Sequence, residues 1–254
     1  MHRPSKVRIR QSFERAASTY DSAAEIQRHI CSHLAATLPP ELEVSRLLDA
    51  GCGTGFALAL LLERYPNAQA IALDLAPAML QRIATPCCSI AGDLENLPLA
   101  SNSLDLYWSS LAVQWCELPQ ALAEAQRVLK AQGQIAIATL GPQTFHELRH
   151  AFAGIDDYQH TLGFHSVTEI GVLATQAGLV AVNVQNSPKI TYYPDFKSLL
   201  KAVKAIGANQ VGAGRRSGLM SRSHFKRAEA AFESLRVAAG LPLTYDLITL
   251  IAKK

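Results

Sequence analysis

The chain has 254 residues, of which 49% are apolar and 18% charged, and its formal net charge is +3. These values predict one or two globular domains with a buried core, and they exclude disordered and collagen-like chains. Apolar runs stay shorter than the roughly 18 residues that a transmembrane helix needs, so a membrane-spanning protein is excluded as well.

A helical region opens the chain, and an alternation of strands and helices follows it. Residues 5–38 are predicted to be helical, because Ile26, Ile30 and Leu34 recur at a four-residue spacing before Pro39 and Pro40 end the run. Strands are predicted at 46–50, 70–73, 88–91, 104–109 and 134–139, with helices at 56–64, 77–83 and 119–129. Gly133 is expected to mark the turn that leaves the last of these helices. The alternation favours a mostly parallel α/β sheet that is covered by helices on both faces.

The pattern changes after about residue 141. Helices are predicted at 143–156 and 167–177, and a strand at 179–184. Two amphipathic helices follow. The first has an apolar face formed by Phe196, Leu199, Leu200, Val203 and Ile206, with Lys197, Lys201 and Lys204 roughly opposite. The second carries an apolar stripe of Phe225, Ala228, Phe232 and Leu235. The β-rich run at 243–251 is expected to return to the sheet as an edge strand.

These elements predict a single domain over residues 1–254 with four parts. Residues 1–40 form an N-terminal helical cap and residues 41–188 a ligand-binding core. Residues 189–241 form a helical lid inserted between two late strands, and residues 242–254 close the sheet. The lid and closing strand are also the basic part of the chain: residues 189–254 carry 12 basic and four acidic residues, whereas residues 16–188 carry seven basic and 16 acidic. This asymmetry indicates a surface that meets an anionic partner, although a merely solvated basic face would give the same pattern.

A glycine-rich turn between the first strand and its helix is the most informative segment. Asp49 is followed by Gly51, Gly53 and Gly55 at alternate positions, and the predicted helix begins directly afterwards. Glycines let a backbone turn sharply and approach a ligand, and a helix N-terminus offers free N–H groups. The spacing differs from the dinucleotide fingerprint, in which the third glycine would stand at Phe56. Nucleotide binding through this turn is therefore predicted, with a cofactor other than a dinucleotide.

Two further acids close the second and third strands. Asp74 can hold both hydroxyls of a ribose, and Asp93 can accept a hydrogen bond from an adenine amino group. With the glycine spacing, these acids resemble those of the class I S-adenosylmethionine-dependent methyltransferases. That resemblance implies a Rossmann-like, mostly parallel seven-stranded sheet. It also implies that Asp49, Gly51, Gly53 and Gly55 surround the methionine part, Asp74 takes the ribose, Leu75 and Met79 flank the adenine, and Asp93 with Leu94 reads the adenine edge.

The segment after the fourth strand restricts the class of methyl acceptor. Instead of the Asp-Pro-Pro-Tyr or Asn-Pro-Pro-Tyr of amino-methylating enzymes, it has Leu111-Ala112-Val113-Gln114-Trp115-Cys116. Together with Phe13, Tyr20-Asp21, Gln27, Gly214-Arg215, Ser221-Arg222 and Leu243-Thr244-Tyr245, this segment resembles the malonyl-acyl-carrier-protein O-methyltransferases of biotin synthesis. Ser110 departs from that pattern, in which Asn is expected.

The resemblance implies methylation of the free carboxylate of a malonyl thioester on acyl-carrier protein or coenzyme A. A carboxylate is ionised at pH 7 and needs no base, so catalysis depends on alignment and on exclusion of water. Tyr20 and Gln114 are expected near the reacting centre, facing each other. The acidic carrier is expected to dock on lid cations, for which the candidates are Lys201, Lys204, Arg215, Arg216 and Arg222.

The remaining predictions concern ligands, location and alternatives. S-adenosylmethionine is the expected cofactor, and no metal site is predicted, because the five cysteines lack any zinc-ligand spacing. A cytoplasmic protein without a membrane or nucleic-acid partner is expected, since the basic N-terminus leads into no apolar segment. The alternatives are a methyltransferase acting on a quinone precursor or another small carboxylic acid, a nucleic-acid-binding or modifying protein, and a non-catalytic regulator that binds the cofactor.

Overall fold

The structure is a computed structural model that describes residues 3–155, 161–205 and 221–254. Its strands are β1 (Arg46–Ala50), β2 (Gln69–Asp74), β3 (Cys88–Ala91), β4 (Leu104–Ser110), β5 (Leu129–Leu140), β6 (Val180–Asn186), β7 (Lys189–Tyr193), β8 (Leu241–Tyr245) and β9 (Leu247–Lys253). Its helices are α1 (Lys6–Ala16), α2 (Tyr20–Ala23), α3 (Glu25–Ala36), α4 (Phe56–Arg64), α5 (Pro77–Leu80), α6 (Leu118–Val128), α7 (His146–Phe152), α8 (Val167–Gln176), α9 (Phe196–Ala205) and α10 (Arg222–Glu233). Within these ranges, no helix is both long and apolar enough to cross a bilayer.

Seven of the strands form one mostly parallel sheet. Their order is β3-β2-β1-β4-β5-β9-β6, and β9 runs in the direction opposite to that of the other six strands. Helices cover both faces: α6 and α8 pack on one side, and α3 and α4 pack on the other. The predicted α/β class is therefore confirmed, and β1, β3 and α4 begin and end at the predicted residues. Because β1 to β4 are parallel, their carboxyl ends meet at one edge of the sheet.

The closing segment differs from the prediction of a single edge strand. The chain forms two strands there, and β9 lies inside the sheet between β5 and β6. Its side chains explain this position, because Leu247, Ile248, Leu250 and Ala252 are all buried. Consecutive apolar residues are typical of a strand that is covered on both faces, whereas an edge strand leaves part of its surface to solvent. The edge position is taken by β6.

The role predicted for Gly133 is also wrong. Strand β5 begins at Leu129, directly after α6, so Gly133 lies within the strand rather than in an exit turn. The register of β4 against β5 shifts between Leu104 and Leu106, and the two backbones come close together there. A Cβ on Gly133 would stand 2.8 Å from the Lys130 carbonyl and 3.1 Å from that of Leu104. The glycine is needed for this close approach.

The segment between β6 and β9 forms a separate layer. Strands β7 and β8 pair as an antiparallel two-stranded sheet, and α9 and α10 lie between them in the chain. The described residues of the predicted apolar faces pack in a common core, in which Phe196 and Phe232 are fully buried, with the exception of Leu235, which follows the end of α10 and lies outside this core. Lys197, Lys201 and Lys204 are exposed, as the helical spacing predicts. Ile206, the last predicted member of the first apolar face, lies outside the described residues.

Candidate functional site

A cavity opens at the carboxyl ends of the parallel strands, where sequence analysis places the cofactor. It measures about 600 Å³ including its mouth. Seven of the predicted cofactor residues line it: Gly51, Gly53, Asp74, Leu75, Met79, Asp93 and Leu94. A second cavity of about 470 Å³ adjoins it and shares Tyr20, Gly51, Gly53 and Ser110 with the first. Asp49 lines only this second cavity.

The glycine turn is fixed by its own backbone and by the chain after β4. The amide of Gly51 donates to the carbonyl of Leu73 at 2.7 Å, which ties the turn to the end of β2. A Cβ on Gly51 would collide with the side chain of Ala112, so only glycine fits there. Gly55 is the N-cap of α4 and packs against Ile83, away from both cavities. Two of the three glycines, Gly51 and Gly53, therefore line the cavities.

Asp74 is held rigidly at the centre of the site. Its Oδ2 accepts a hydrogen bond from the amide of Gly53 at 2.9 Å, and its Oδ1 accepts one from the amide of Ala76 at 2.8 Å. Burial raises the pKa of Asp74, although the two amides lower it in part. Each carboxylate oxygen keeps a lone pair, so the group can still accept hydrogen bonds from a pair of hydroxyls.

Asp93 lies at the other end of the cavity in a charged cluster. The ammonium of Lys6 lies 2.9 Å from Asp93 Oδ1 and also contacts the carboxylate of Glu95 and the sulfur of Cys116. The two carboxylates and the Cys116 sulfur lie within 4.8 Å of one another, and Lys6 bonds to all three. Lys6 lines the cavity and ties α1 to the segment after β3. Sequence reasoning missed it, because a lone lysine on a basic helix gives no signal.

Asp49 is the most perturbed acid of the site. It is 1% exposed, and its Oδ2 is buried without a hydrogen-bond partner in the described part of the chain. Burial, and to a smaller extent the charge of Asp74, raise the pKa of Asp49 to about 8. A buried carboxyl group of this kind is stabilised by a hydrogen-bond donor or by a positive charge. Asp49 lies near the end of β1 and lines the second cavity, so a ligand in that cavity can supply either one.

Tyr20 stands where the two cavities meet. It begins α2 and lines both of them, as expected for a group beside the junction of cofactor and acceptor. Burial, together with the negative charge of Asp74, raises the pKa of Tyr20. The phenol therefore keeps its proton at neutral pH and can donate a hydrogen bond.

Gln114 does not face Tyr20, contrary to the prediction. It lies in the 3-10 helix Val113–Trp115 and lines a different cavity of about 210 Å³, beside Phe164 and His165. Its Nε2 donates to the carbonyl of Leu111 at 2.7 Å. Leu111, with a positive φ of 56°, begins the turn after β4, and within this turn Ala112, Trp115 and Cys116 line the cofactor cavity whereas Gln114 lines the other one.

An apolar wall completes the cofactor cavity. Ile9 and Phe13 of α1 line it together with Leu111 and Trp115. The rings of Phe13 and Trp115 meet edge to face, with centroids 5.7 Å apart. Trp115 is 8% exposed, and it belongs both to the core and to the lining of the cavity. This wall can keep water away from a reacting group.

The candidate carrier-binding residues are only partly described. Lys201 and Lys204 are exposed on α9, and Arg222 is exposed at the start of α10. Helix α9 packs near α2, the helix that begins with Tyr20. Arg215 and Arg216 lie outside the described residues.

The comparisons with known proteins agree with this geometry. Residues 48–137 match a family described as a methyltransferase domain. An S-adenosylmethionine-dependent methyltransferase from Thermotoga maritima, 16% identical, has the same fold, with a TM-score of 0.57 over 97% of this chain and 99% of that one. The buried acids, glycine turn and apolar wall suit a ligand with a ribose, a base and a charged tail. The chain is a class I methyltransferase, and its methyl donor is S-adenosylmethionine.

Relatives over nearly the full length define the family more closely. The malonyl-[acyl-carrier protein] O-methyltransferase of Dechloromonas aromatica is 66% identical, over 99% of this chain and 96% of that protein. The biotin biosynthesis bifunctional protein BioHC of Cellvibrio japonicus is 39% identical over 98% of this chain, which spans 50% of that longer protein. The chain belongs to the malonyl-[acyl-carrier protein] O-methyltransferase family.

Proposed function

We propose that the protein methylates the free carboxylate of a malonyl group carried as a thioester by acyl-carrier protein, with coenzyme A as a smaller substitute. The product is the methyl ester that primes pimeloyl synthesis for biotin. The observation that carries this proposal is the 66% identity over 99% of the chain, which includes the N-terminal helices and the segment between β6 and β9. Those two regions, rather than the cofactor core that many methyltransferases share, are where an acceptor is chosen.

The reaction requires no general acid or base from the protein. When bound, S-adenosylmethionine supplies a methyl group on a sulfonium, an electrophile that a carboxylate oxygen can attack in line. The malonyl carboxylate is ionised at neutral pH, so no side chain has to remove a proton. Phe13, Leu111 and Trp115 exclude water from this end of the cavity, and the protonated Tyr20 can donate a hydrogen bond to orient the acceptor.

The cofactor roles follow from the positions described above. Asp74 accepts from the ribose hydroxyls, and Asp93 with Leu94 reads the adenine edge, while Leu75 and Met79 flank the base. Asp49 faces the amino-acid tail with Gly51 and Gly53. Gly55 acts through the helix that it caps, and Gln114 acts from the separate cavity beside Phe164 and His165.

The carrier is proposed to dock on the segment of residues 189–241, which serves as the lid. Acyl-carrier protein is strongly acidic, and the exposed Lys201, Lys204 and Arg222 lie on the two helices of this segment. Arg215 and Arg216 belong to the same proposal. Neither a nucleic acid nor a membrane is a proposed partner. A cytoplasmic location is proposed, supported by five cysteines that are free in the structure.

A methyl-transfer assay with labelled S-adenosylmethionine tests the proposal. The acceptors are malonyl-acyl-carrier protein, malonyl-coenzyme A and free malonate, with acetyl-acyl-carrier protein as the control that lacks a free carboxylate. We expect a methyl ester on the malonyl thioesters, fastest on the carrier protein, and none on the acetyl control. Methylation of free malonate alone, or of none of the three, would refute the proposed acceptor. The first result would point to the small-acid alternative.

A further inference from the structure

The second cavity is lined by polar groups that the proposed methyl acceptor, a malonyl thioester, does not explain. It lies between α3, α4 and the glycine turn, on the side of Tyr20 away from Asp93. Its lining includes two residues of α3, Gln27 and Arg28, which no sequence motif assigns to the cofactor. Together with Asp49 and Asp21, these residues give the cavity two acids, one amide and one guanidinium. Asp21 Oδ1 already accepts a hydrogen bond from the hydroxyl of Thr54 at 2.6 Å.

Two acceptor oxygens in this cavity are buried without a donor. Asp49 Oδ2 and Gln27 Oε1 both lack a hydrogen-bond partner among the residues that the structure describes. Buried polar atoms are normally paired, because leaving one unpaired costs its full desolvation. Two such acceptors facing one cavity therefore call for a ligand with several N–H donors. An ammonium group has three donors and a charge that favours the ionised form of Asp49.

Arg28 adds the opposite charge. Its Nη1 donates to the carbonyl of Asp21 at 2.6 Å, which anchors the guanidinium at the wall of the cavity. A guanidinium has five donors in a planar fork, so the remaining ones are available to a carboxylate. A phosphate would be attracted by Arg28 but repelled by Asp49, and it has no donors for the two orphaned oxygens.

We propose that Gln27 and Arg28 bind the α-amino-acid end of S-adenosylmethionine. Gln27 Oε1 and Asp49 Oδ2 accept hydrogen bonds from the α-ammonium, and Arg28 pairs with the α-carboxylate. Tyr20, at the junction of the cavities, then lies beside the part of the cofactor that joins this end to the adenosine. This inference rests on the cofactor of the proposed function and not on its methyl acceptor.

Two ligands that differ only at the amino-acid end test the assignment. S-adenosylhomocysteine has the complete zwitterion, whereas 5′-methylthioadenosine keeps the adenosine and thioether and lacks the amino acid. Affinities for both are measured by titration calorimetry on the full chain. Gln27→Leu and Arg28→Met should each weaken S-adenosylhomocysteine about tenfold, the effect of losing a charge-assisted hydrogen bond, and leave methylthioadenosine within about twofold. His29→Leu, an exposed neighbour on α3, should change neither.

The ratio of the two affinities is the deciding quantity. An unchanged ratio overturns the assignment of the residue that was substituted, whether both ligands bind normally or both bind weakly. Normal binding of methylthioadenosine also shows that a variant is folded, so loss of structure cannot pass for loss of a contact. Wild-type protein that binds S-adenosylhomocysteine but methylates no malonyl thioester would refute the proposed function and leave this inference in place.

Discussion

The cofactor edge of the sheet and the segment of residues 189–241 differ in where they place their polar groups. At the cofactor edge, the polar groups are buried acids near the ends of strands. Asp49 lies next to the glycine turn, and the carboxylate of Asp74 accepts hydrogen bonds from two backbone amides. In the inserted segment, Phe196 and Phe232 are buried, and the candidate binding groups are lysines on exposed helix faces. The first region encloses a cavity, and the second presents exposed lysines as a proposed docking surface.

The difference explains why only the first region has a readable motif. A buried acid or a glycine in a close backbone contact can hardly be replaced, so its type and spacing are fixed. Exposed lysines attract an acidic protein through the summed field and tolerate displacement along a helix. The core therefore identifies the methyl donor, and we propose that the inserted segment recognises the carrier of the methyl acceptor. Four substitutions test this division, and they are ordered by the size of the expected effect.

The inserted segment should depend on its aromatic core more than on anything at its surface. Phe196 is fully buried, with ring centroids 5.2 Å from Phe232, 5.6 Å from Phe225 and 6.4 Å from Phe152. Phe196→Ala should lower the free energy of unfolding by about 3–5 kcal/mol, measured by urea titration. Phe56→Ala, at a 41% exposed position, is the control and should cost about 1 kcal/mol or less. Equal losses would mean that this segment has no packed core.

The donor site should depend most on Asp74. Asp74→Ala should weaken binding of S-adenosylhomocysteine by about 100-fold in calorimetry, because a buried acceptor of two ribose hydroxyls is lost. Asp105→Ala is the matched control: Asp105 also accepts from two backbone amides, those of Ser45 and Arg46, but it lines neither cavity. The affinity of the Asp105→Ala variant for S-adenosylhomocysteine should stay within about twofold of that of the wild type. Unchanged affinity in the Asp74 variant would remove Asp74 from the ribose role.

Tyr20 should affect turnover more than cofactor affinity. Tyr20→Phe removes one hydroxyl at the junction of the two cavities, and we expect kcat to fall about tenfold with the affinity for S-adenosylhomocysteine within about threefold. Tyr65→Phe, which removes another buried hydroxyl outside both cavities, should leave kcat unchanged. A normal kcat in the Tyr20 variant would exclude the orienting role.

Asp49 should make the stability of the ligand-free protein depend on pH. Its pKa is raised to about 8 in the folded state, whereas an unfolded aspartate titrates near about 3.9. Between these values the unfolded chain releases a proton that the folded one keeps, so stability falls as the pH rises to about 8 and changes no further above it. Asn cannot ionise, so the melting temperature of Asp49→Asn minus that of wild type should grow from pH 5 to pH 8. A pH-independent difference would contradict the raised pKa.

The sequence predicted those parts of the fold in which one local signal decides the structure. The bounds of β1 and α4 were predicted correctly because the glycine turn lies between them, and those of β3 because a glycine and an acid follow its last residue. The position of β9 was not, since pairing of distant strands depends on which side chains end up covered on both faces. Gly133 was assigned to a turn because only the partner strand shows that its role is close approach.

The site was predictable where residues follow strand ends and not where the chain turns freely. Asp74 and Asp93 were placed correctly at the cavity by their position after β2 and β3. Gln114 was misplaced, because the sequence does not show which side chains of the short helix Val113–Trp115 face the cofactor cavity. Lys6 and Gln27 were not assigned roles, because the sequence of a helix does not show which of its side chains will face a cavity after the helix has packed.

The most direct test of the division between donor core and acceptor segment is a parallel measurement of kcat/KM on two substrates. The double variant Lys201→Glu, Lys204→Glu reverses two exposed charges on α9, and Arg82→Glu reverses an exposed charge on the cofactor core. With malonyl-acyl-carrier protein, the double variant should lose about tenfold or more, whereas with malonyl-coenzyme A it should lose about threefold or less. Arg82→Glu should change neither. Equal losses on both substrates, or no loss on the carrier protein, would contradict the account.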